Sequence, residues 1–440
     1  MHPAKKLFLV LADAALLYAA LVATLLLRYS LDRFPVTLRD HIEPFSLIFV
    51  VWIFVFYLAD LYRRESFRSP NALVNRLLFG IFVSSALSIA LFYLFGEFFR
   101  LTPKTNFLIF AGIFTFFDYL WRNFLRVLLS ARGTPVVVIG ESPRIKNTVS
   151  YLSANPHAGY RVALHVPGGD VGKRGFRELF ESVNARMVVV ASPLLRDPEI
   201  AKALYELLPL GVTLMHFPDF YELVFDRVPL DEVEEGWFVE HIWAHRPFYD
   251  ALKRVIDFSL ATIFGLILLL PALLIALIIK ATSRGPVIFK QERIGKGGGV
   301  FSIYKFRTMR LPARGESWDL WTTEGDARIT LVGRALRFAH LDEIPQLWNI
   351  VRGDISLTGP RPERIELARE YGALPYYGIR HIVPPGLTGW AQINYKPSAS
   401  LEEAQEKLEY DIFYVKNRSF VLDSLIILRT IRYFFASHGK

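Results

Sequence analysis

Cysteine is absent from all 440 residues. That excludes disulfides, thiolate metal sites and cysteine nucleophiles, and it suits a reducing compartment. A second shortage is glycine where a cofactor would need it. The run "VVVIGESPR" offers Gly140 alone, whereas close approach of backbone to a pyrophosphate takes a G-x-G-x-x-G loop. No bound nucleotide is expected there, and a docking or regulatory domain of Rossmann-like shape is the reading that follows. Acidic residues are also short: 42 Asp and Glu face 51 Lys and Arg, leaving a net charge of +9 and a pI near 9.5. Such a chain suits an anionic partner, whether nucleic acid, anionic lipid or a phosphorylated small molecule. With 52% hydrophobic residues and a mean hydropathy of +0.29 the balance falls toward a membrane protein, and no nucleic-acid partner is expected.

Long apolar runs are plentiful. Four of them, near residues 7–27, 45–61, 77–99 and 107–125, are each about long enough to cross a bilayer as a helix, so residues 1–130 read as four transmembrane helices. The first is too long for a signal peptide and lacks a small-residue cleavage site. Lys5 and Lys6 precede the first run, Arg63, Arg64, Arg68 and Arg76 separate the second from the third, and Arg122, Arg126 and Arg132 follow the fourth. This bias places both termini on the cytoplasmic side. From Pro135 the runs "PVVVIG", "YRVALHV", "MVVVAS" and "VTLMHF" alternate with polar stretches of helical length, the pattern of a parallel α/β sheet, so residues 131–245 read as a Rossmann-like cytoplasmic domain without a dinucleotide fingerprint. A fifth apolar segment, 257–280, is flanked by Lys253 and Arg254 on one side and by Lys280 and Arg284 on the other. Pro271 near its middle removes a backbone hydrogen bond and crowds the preceding turn, so the segment either bends and returns to the face it entered or spans the bilayer with a kink.

The remaining residues carry the chemistry. "GPVIFKQERIGKGGGVFSIYKFRTM" reads as a strand pair around Gly295, Gly297, Gly298 and Gly299, followed by Lys305 and Arg307. Flexible glycines and cations together suit a phosphate, although a glycine-rich turn is often only a turn. "HLDEIPQLWN" sets Asp342 and Glu343 just ahead of a helix that Pro345 opens and Gly353 closes. Two carboxylates there can divide nucleophilic attack and metal binding between them, or can simply cap the helix. In "DISLTGPRPER", Arg361 sits between two prolines, stiff enough to clamp a phosphate at little entropic cost. "PGLTGWAQINY" adds Trp390 and Gln392, which could meet a base or a membrane surface, and the chain closes on an aromatic, basic, apolar helix that suits either the interface or a core.

Taken in order, "RGPVIFKQERIG", "KFRTM", "LDEIPQLWNIVRGDISLTGPRPE", "PGLTGWAQINY" and "LEYDIFYVKNRS" resemble the bacterial sugar transferases, the monotopic phosphoglycosyl transferases that load a sugar 1-phosphate onto polyprenyl phosphate. The resemblance covers about 246–440, and the four spans and Rossmann-like domain upstream match the large members that initiate exopolysaccharide or O-antigen synthesis. It implies a mostly helical catalytic domain with a re-entrant membrane helix at 257–280 broken at Pro271, held on the cytoplasmic face of the bacterial inner membrane. It implies Asp342 as the nucleophile toward a nucleotide diphosphate-sugar such as a UDP-hexose, Glu343 as a Mg²⁺ ligand, and Lys305, Arg307 and Arg361 near the phosphates, with Gln392 added as a further substrate contact. The partners are then the sugar nucleotide, polyprenyl phosphate and membrane lipid; a homodimer is left open. Thr358 stands where an aliphatic residue is common, and Ala339-His340 where a hydroxylated or basic pair is common. Two rival readings are a membrane-bound nucleotide-sugar dehydratase, for which Tyr249 and Lys253 have the Tyr-x-x-x-Lys spacing, and a non-enzymatic scaffold of polysaccharide assembly.

Overall fold

The computed structural model describes residues 3–59, 61–62, 70–96, 104–130, 133–155, 158–171, 176–185, 187–242, 246–310, 326, 328–395 and 400–437. Arg63, Arg64, Arg68 and Arg132, on which part of the expected orientation rests, lie outside the described residues. The chain forms two compact units, Met1–Phe225 with Phe434–Lys440, and Asp226–Tyr433.

In the first unit the apolar runs become helices α1 (Pro3–Arg28), α2 (Phe34–Leu58), α3 (Pro70–Leu94) and α4 (Lys104–Ser130). Trp52, Phe56, Phe110 and Phe114 fill their shared core without exposure to solvent. Stretches of the first three, Leu7–Arg28, Phe34–Leu58 and Arg76–Leu94, are long and apolar enough to cross a membrane. The fourth run of the sequence is helical too, but Asp118 and Arg122 interrupt its apolar face. Buried Arg122 donates to both Asp118 oxygens at 2.8 and 3.0 Å, to Asp13 on α1 at 2.5 Å and to the Leu61 carbonyl at 2.9 Å. A buried cation is tolerated because every nitrogen of its fork meets an acceptor.

The four β-rich runs form the expected parallel sheet, β1 (Thr134–Ile139), β2 (Tyr160–Val166), β3 (Met187–Val190) and β4 (Thr213–His216), in the order β2-β1-β3-β4. Alternation sends Val137, Ile139, Val188 and Val190 to one core with Ile200 and Leu204, while Val136, Val138 and Val189 pack opposite them with Ile145 and Phe220.

The second unit begins with a strap, residues 226–242, whose Val228, Leu230, Val233 and Phe238 are buried with Trp390, Leu408, Ile412 and Leu425. The division between units therefore falls ahead of the 245/246 boundary read from the sequence. Helices α5 (Pro247–Ile267) and α6 (Leu269–Thr282) meet at a 60° bend. The bend lies where Pro271 would require the Ile267 carbonyl to give way, four residues before it. Ala261 of α5 packs against Ile350 and Ile355, and Ile275 and Ile279 of α6 pack against Phe306 and Leu336, so both arms return their small or β-branched faces to one unit. Around them lie the antiparallel hairpin β5 (Ile288–Ile294) and β6 (Val300–Phe306), α7 (Leu331–Phe338), α8 (Gln346–Arg352), the short parallel pair β7 (Ser356–Thr358) and β8 (Gly386–Thr388), and α9 (Leu401–Asn417) with α10 (Phe420–Ser437). Leu422, Leu425 and Ile426 of α10 are buried beside α9, which makes that face of the last helix core.

Candidate active site

The acidic pair sits in a turn whose geometry is set from both ends. Upstream, the Thr330 hydroxyl accepts from the Gly333 amide at 2.8 Å and starts α7. Gly333 lies so close to Thr308 that a Cβ would fall 2.0 Å from its carbonyl oxygen, so only glycine lets α7 dock there. After α7, His340 adopts a left-handed backbone at φ 54° and turns the chain into the single turn Leu341–Glu343. Downstream, α8 runs Gln346–Arg352 and ends on Gly353 at φ 90°, as Pro345 and Gly353 led one to expect. Buried Asn349 fastens α8 to the hairpin: its Oδ1 accepts from the Tyr304 amide at 3.1 Å, and its Nδ2 donates to the Ser302 carbonyl at 2.7 Å. Lys305, the next residue of β6, is thereby brought to the turn.

Lys305 Nζ donates to Glu343 Oε1 at 2.5 Å, and Arg361 Nη2 lies 3.9 Å from the same oxygen. Burial pushes the Glu343 carboxyl up, but Lys305 and then Arg361 outweigh it and hold the group below its ordinary range. Asp342 is 8% exposed and has no recorded side-chain hydrogen bond among the described residues. Burial pushes its carboxyl above the ordinary range, with the Glu343 charge adding to the effect and Lys305 opposing it. One carboxylate is thus neutralised and fixed while its neighbour is desolvated and uncommitted, a division that suits attack by Asp342. Both cationic contacts of Glu343 are made by Oε1. Among the described residues no group of three or more His, Asp or Glu could enclose a metal alone. A donor set of one or two carboxylates fits Mg²⁺ in the manner of sites completed by substrate phosphates.

Lys305, Asp342, Glu343 and Arg361 are brought together, while Arg307 and Gln392 make hydrogen bonds to other groups. Arg307 lies just past the end of β6, where its guanidinium donates to the carbonyls of Ser283 and Arg284 at 3.0 and 2.8 Å and to the Ser283 hydroxyl at 2.8 Å. It is buried against the extended turn that follows α6, so its guanidinium is taken up by that turn's carbonyls and hydroxyl in place of the expected phosphate contact. Gln392 makes its recorded hydrogen bond to the Leu387 carbonyl at 3.5 Å, and its Oε1 is buried without one. It belongs to the segment that lies beside the Pro-Arg-Pro loop, since the Gly386 amide donates to the Pro360 carbonyl at 2.9 Å. With only seven residues, α8 supplies a modest dipole, and the positive potential at the turn comes from Lys305 and Arg361.

Tyr249 and Lys253 both bind Asp423 of α10, at 2.6 and 3.0 Å, and Lys253 donates to the Thr358 hydroxyl at 2.6 Å. That polar knot ties α5 to β7 and α10, which removes the dehydratase pairing and gives the unusual Thr358 a place. Sequence reasoning missed Asn349 and a cluster of Glu363, Arg380, Lys407 and Asp411 beneath the Pro-Arg-Pro loop. Asp411 in the otherwise apolar run "DIFYV" was the available signal, because an acid on the buried side of a helix needs a cation.

Residues 248–437 match the family described as Bacterial sugar transferase. The chain is 36% identical over 252 residues to the UDP-N-acetylgalactosamine-undecaprenyl-phosphate N-acetylgalactosaminephosphotransferase of Aeromonas hydrophila, covering 56% of this chain and 58% of the relative. It is 33% identical over 256 residues to the UDP-glucose:undecaprenyl-phosphate glucose-1-phosphate transferase of Escherichia coli K12, covering 56% and 53%. To the exopolysaccharide production protein PSS of Rhizobium leguminosarum bv. phaseoli it is 40% identical over 188 residues, 41% of this chain and 93% of the relative. The chain spans little more than half the length of the Aeromonas and Escherichia proteins.

Proposed function

This chain belongs to the bacterial sugar transferase family, and from that premise we propose that it moves a sugar 1-phosphate from a UDP-hexose to undecaprenyl phosphate, releasing UMP and initiating an exopolysaccharide or O-antigen. The observation that carries the reading is the unlike pair: Asp342 buried with no recorded hydrogen bond, beside Glu343 held by Lys305 and Arg361. An ionised Asp342 oxygen attacks the β-phosphorus, and the bond from that phosphorus to the oxygen bridging the α-phosphate breaks. The electron pair leaves with UMP, and an aspartyl phosphosugar remains. The phosphate oxygen of the lipid then attacks the same phosphorus, giving the polyprenyl diphosphate-sugar and restoring the carboxylate.

Lys305 and Arg361 supply the cations that let an anion approach an anion. Mg²⁺, held by Glu343 with diphosphate oxygens, would add charge neutralisation of the leaving phosphate. Residues 257–280 are read as re-entrant because Ala261 on one arm and Ile275 and Ile279 on the other pack on the same unit. With α4 as a fourth span, both termini and everything after residue 131 lie on the cytoplasmic side of the inner membrane.

The test is intact-protein mass spectrometry after brief exposure to UDP-glucose or UDP-N-acetylgalactosamine without lipid acceptor. The parent should gain the mass of a sugar phosphate and Asp342→Asn should gain nothing, while Glu343→Gln should retain a reduced, Mg²⁺-responsive transfer. A full adduct on Asp342→Asn means that another residue attacks.

A further inference from the structure

The Pro-Arg-Pro loop is held by its main chain at four successive residues. The Pro360 carbonyl accepts from the Gly386 amide at 2.9 Å, Arg361 from Arg380 Nη2 at 2.7 Å, Pro362 from Arg293 Nη1 at 3.1 Å and Glu363 from the Ile294 amide at 3.0 Å. Of these donors, Arg380 alone is a buried side chain of the segment leading into β8, at 3% exposure. Its Nη2 also meets Asp411 of α9 at 2.8 Å, its Nη1 lies 3.7 Å from Glu363 and donates to the Tyr377 hydroxyl at 3.1 Å, and Glu363 in turn binds Lys407 of α9. Two cations and two anions balance in the interior. Above them the Arg361 side chain stays 41% exposed and reaches toward Glu343.

We propose that Arg380 is the positioning residue for Arg361: it touches no reacting atom, and it fixes the main chain from which the Arg361 guanidinium reaches the diphosphate beside Glu343. The inference rests on the reading of Arg361 as a phosphate clamp. A planar fork is required because one side chain must serve a carbonyl, a carboxylate and a phenol in different directions; a lysine of the same charge cannot span them. An anchored Cα leaves Arg361 fewer degrees of freedom to lose on binding, and small misplacements of such groups are expensive in rate.

The test is a double-mutant cycle on the full chain in nanodiscs, following UMP release with undecaprenyl phosphate and whichever of UDP-glucose and UDP-N-acetylgalactosamine supports it. Arg380→Lys should lower kcat/KM for the sugar nucleotide by about tenfold or more, chiefly through KM. In an Arg361→Ala background the same change should alter kcat/KM by less than about twofold, because the group being positioned is gone. Where Arg380→Lys fails to accumulate, Asp411→Asn, which removes the 2.8 Å partner of Arg380, carries the same cycle. Equal losses in both backgrounds would overturn the inference and leave the clamp standing. Full activity of Arg361→Ala alone would remove the clamp and the inference with it.

Discussion

Asp342 and Glu343 share a turn but not an environment, since Lys305 reaches one of them and burial dominates at the other. In the proposed mechanism attack requires the ionised form of Asp342, so the acid limb of kcat/KM should lie above the ordinary aspartate value of 3.8. Stability runs the opposite way. A carboxyl whose folded pKa is raised favours the fold at pH values below its unfolded pKa, and that contribution disappears as pH rises through the folded value. Asp342→Asn should therefore melt above the parent near neutral pH and converge with it in acid; equal melting throughout would mean that the carboxylate bears no cost of burial. The four residues that meet at the turn were legible because they stand in three short motifs, "KFRTM", "HLDEIP" and "GPRPE". Arg307 was expected near the phosphates from its motif, and its contacts with the Ser283 and Arg284 carbonyls could not be read there because they come from a segment more than twenty residues away. Arg380 left no trace in "YYGIRHIVPP", where nothing local marks a cation whose acidic partners, Glu363 and Asp411, lie on other segments.

The bent pair α5–α6 is the element on which topology turns. A straight helix over its full length would carry Ile275 and Ile279 away from Phe306 and Leu336, the contact that now closes the second arm. Single cysteines at exposed Ala251 and Arg284 should both be protected from an impermeant thiol reagent applied to intact cells, and both should react once the cells are opened. Labelling at 284 alone in intact cells would show a span. The proline was readable as a break; the direction in which the arms leave the bend was not, because it depends on which unit offers each arm a packing surface.

For the whole molecule, the strap 226–242 decides where the second unit can be cut. Its four buried apolar residues are each 7% exposed or less, and at about 1.5–3 kcal/mol for each side chain their loss would remove much of a domain's net stability. A fragment from 226 should fold in detergent with a cooperative transition, whereas one from 246 should aggregate or melt far lower; equal melting of the two would deny the strap its role. The strap escaped notice because "RVPLDEVEEGWF" shows neither helical nor strand period and reads as a bridge. The ionic tie within the first unit has a consequence for biogenesis. Asp13 and Arg122 are 109 residues apart, and a polar side chain of either kind opposes entry of an isolated helix into the bilayer by about 2.5–3.5 kcal/mol at its centre. With α4 as a fourth span, as proposed, α1 leaves the ribosome before α4 and waits with an acid unmatched until α4 brings the arginine that matches it. On that proposed topology, α1 acts as a template for the insertion of α4.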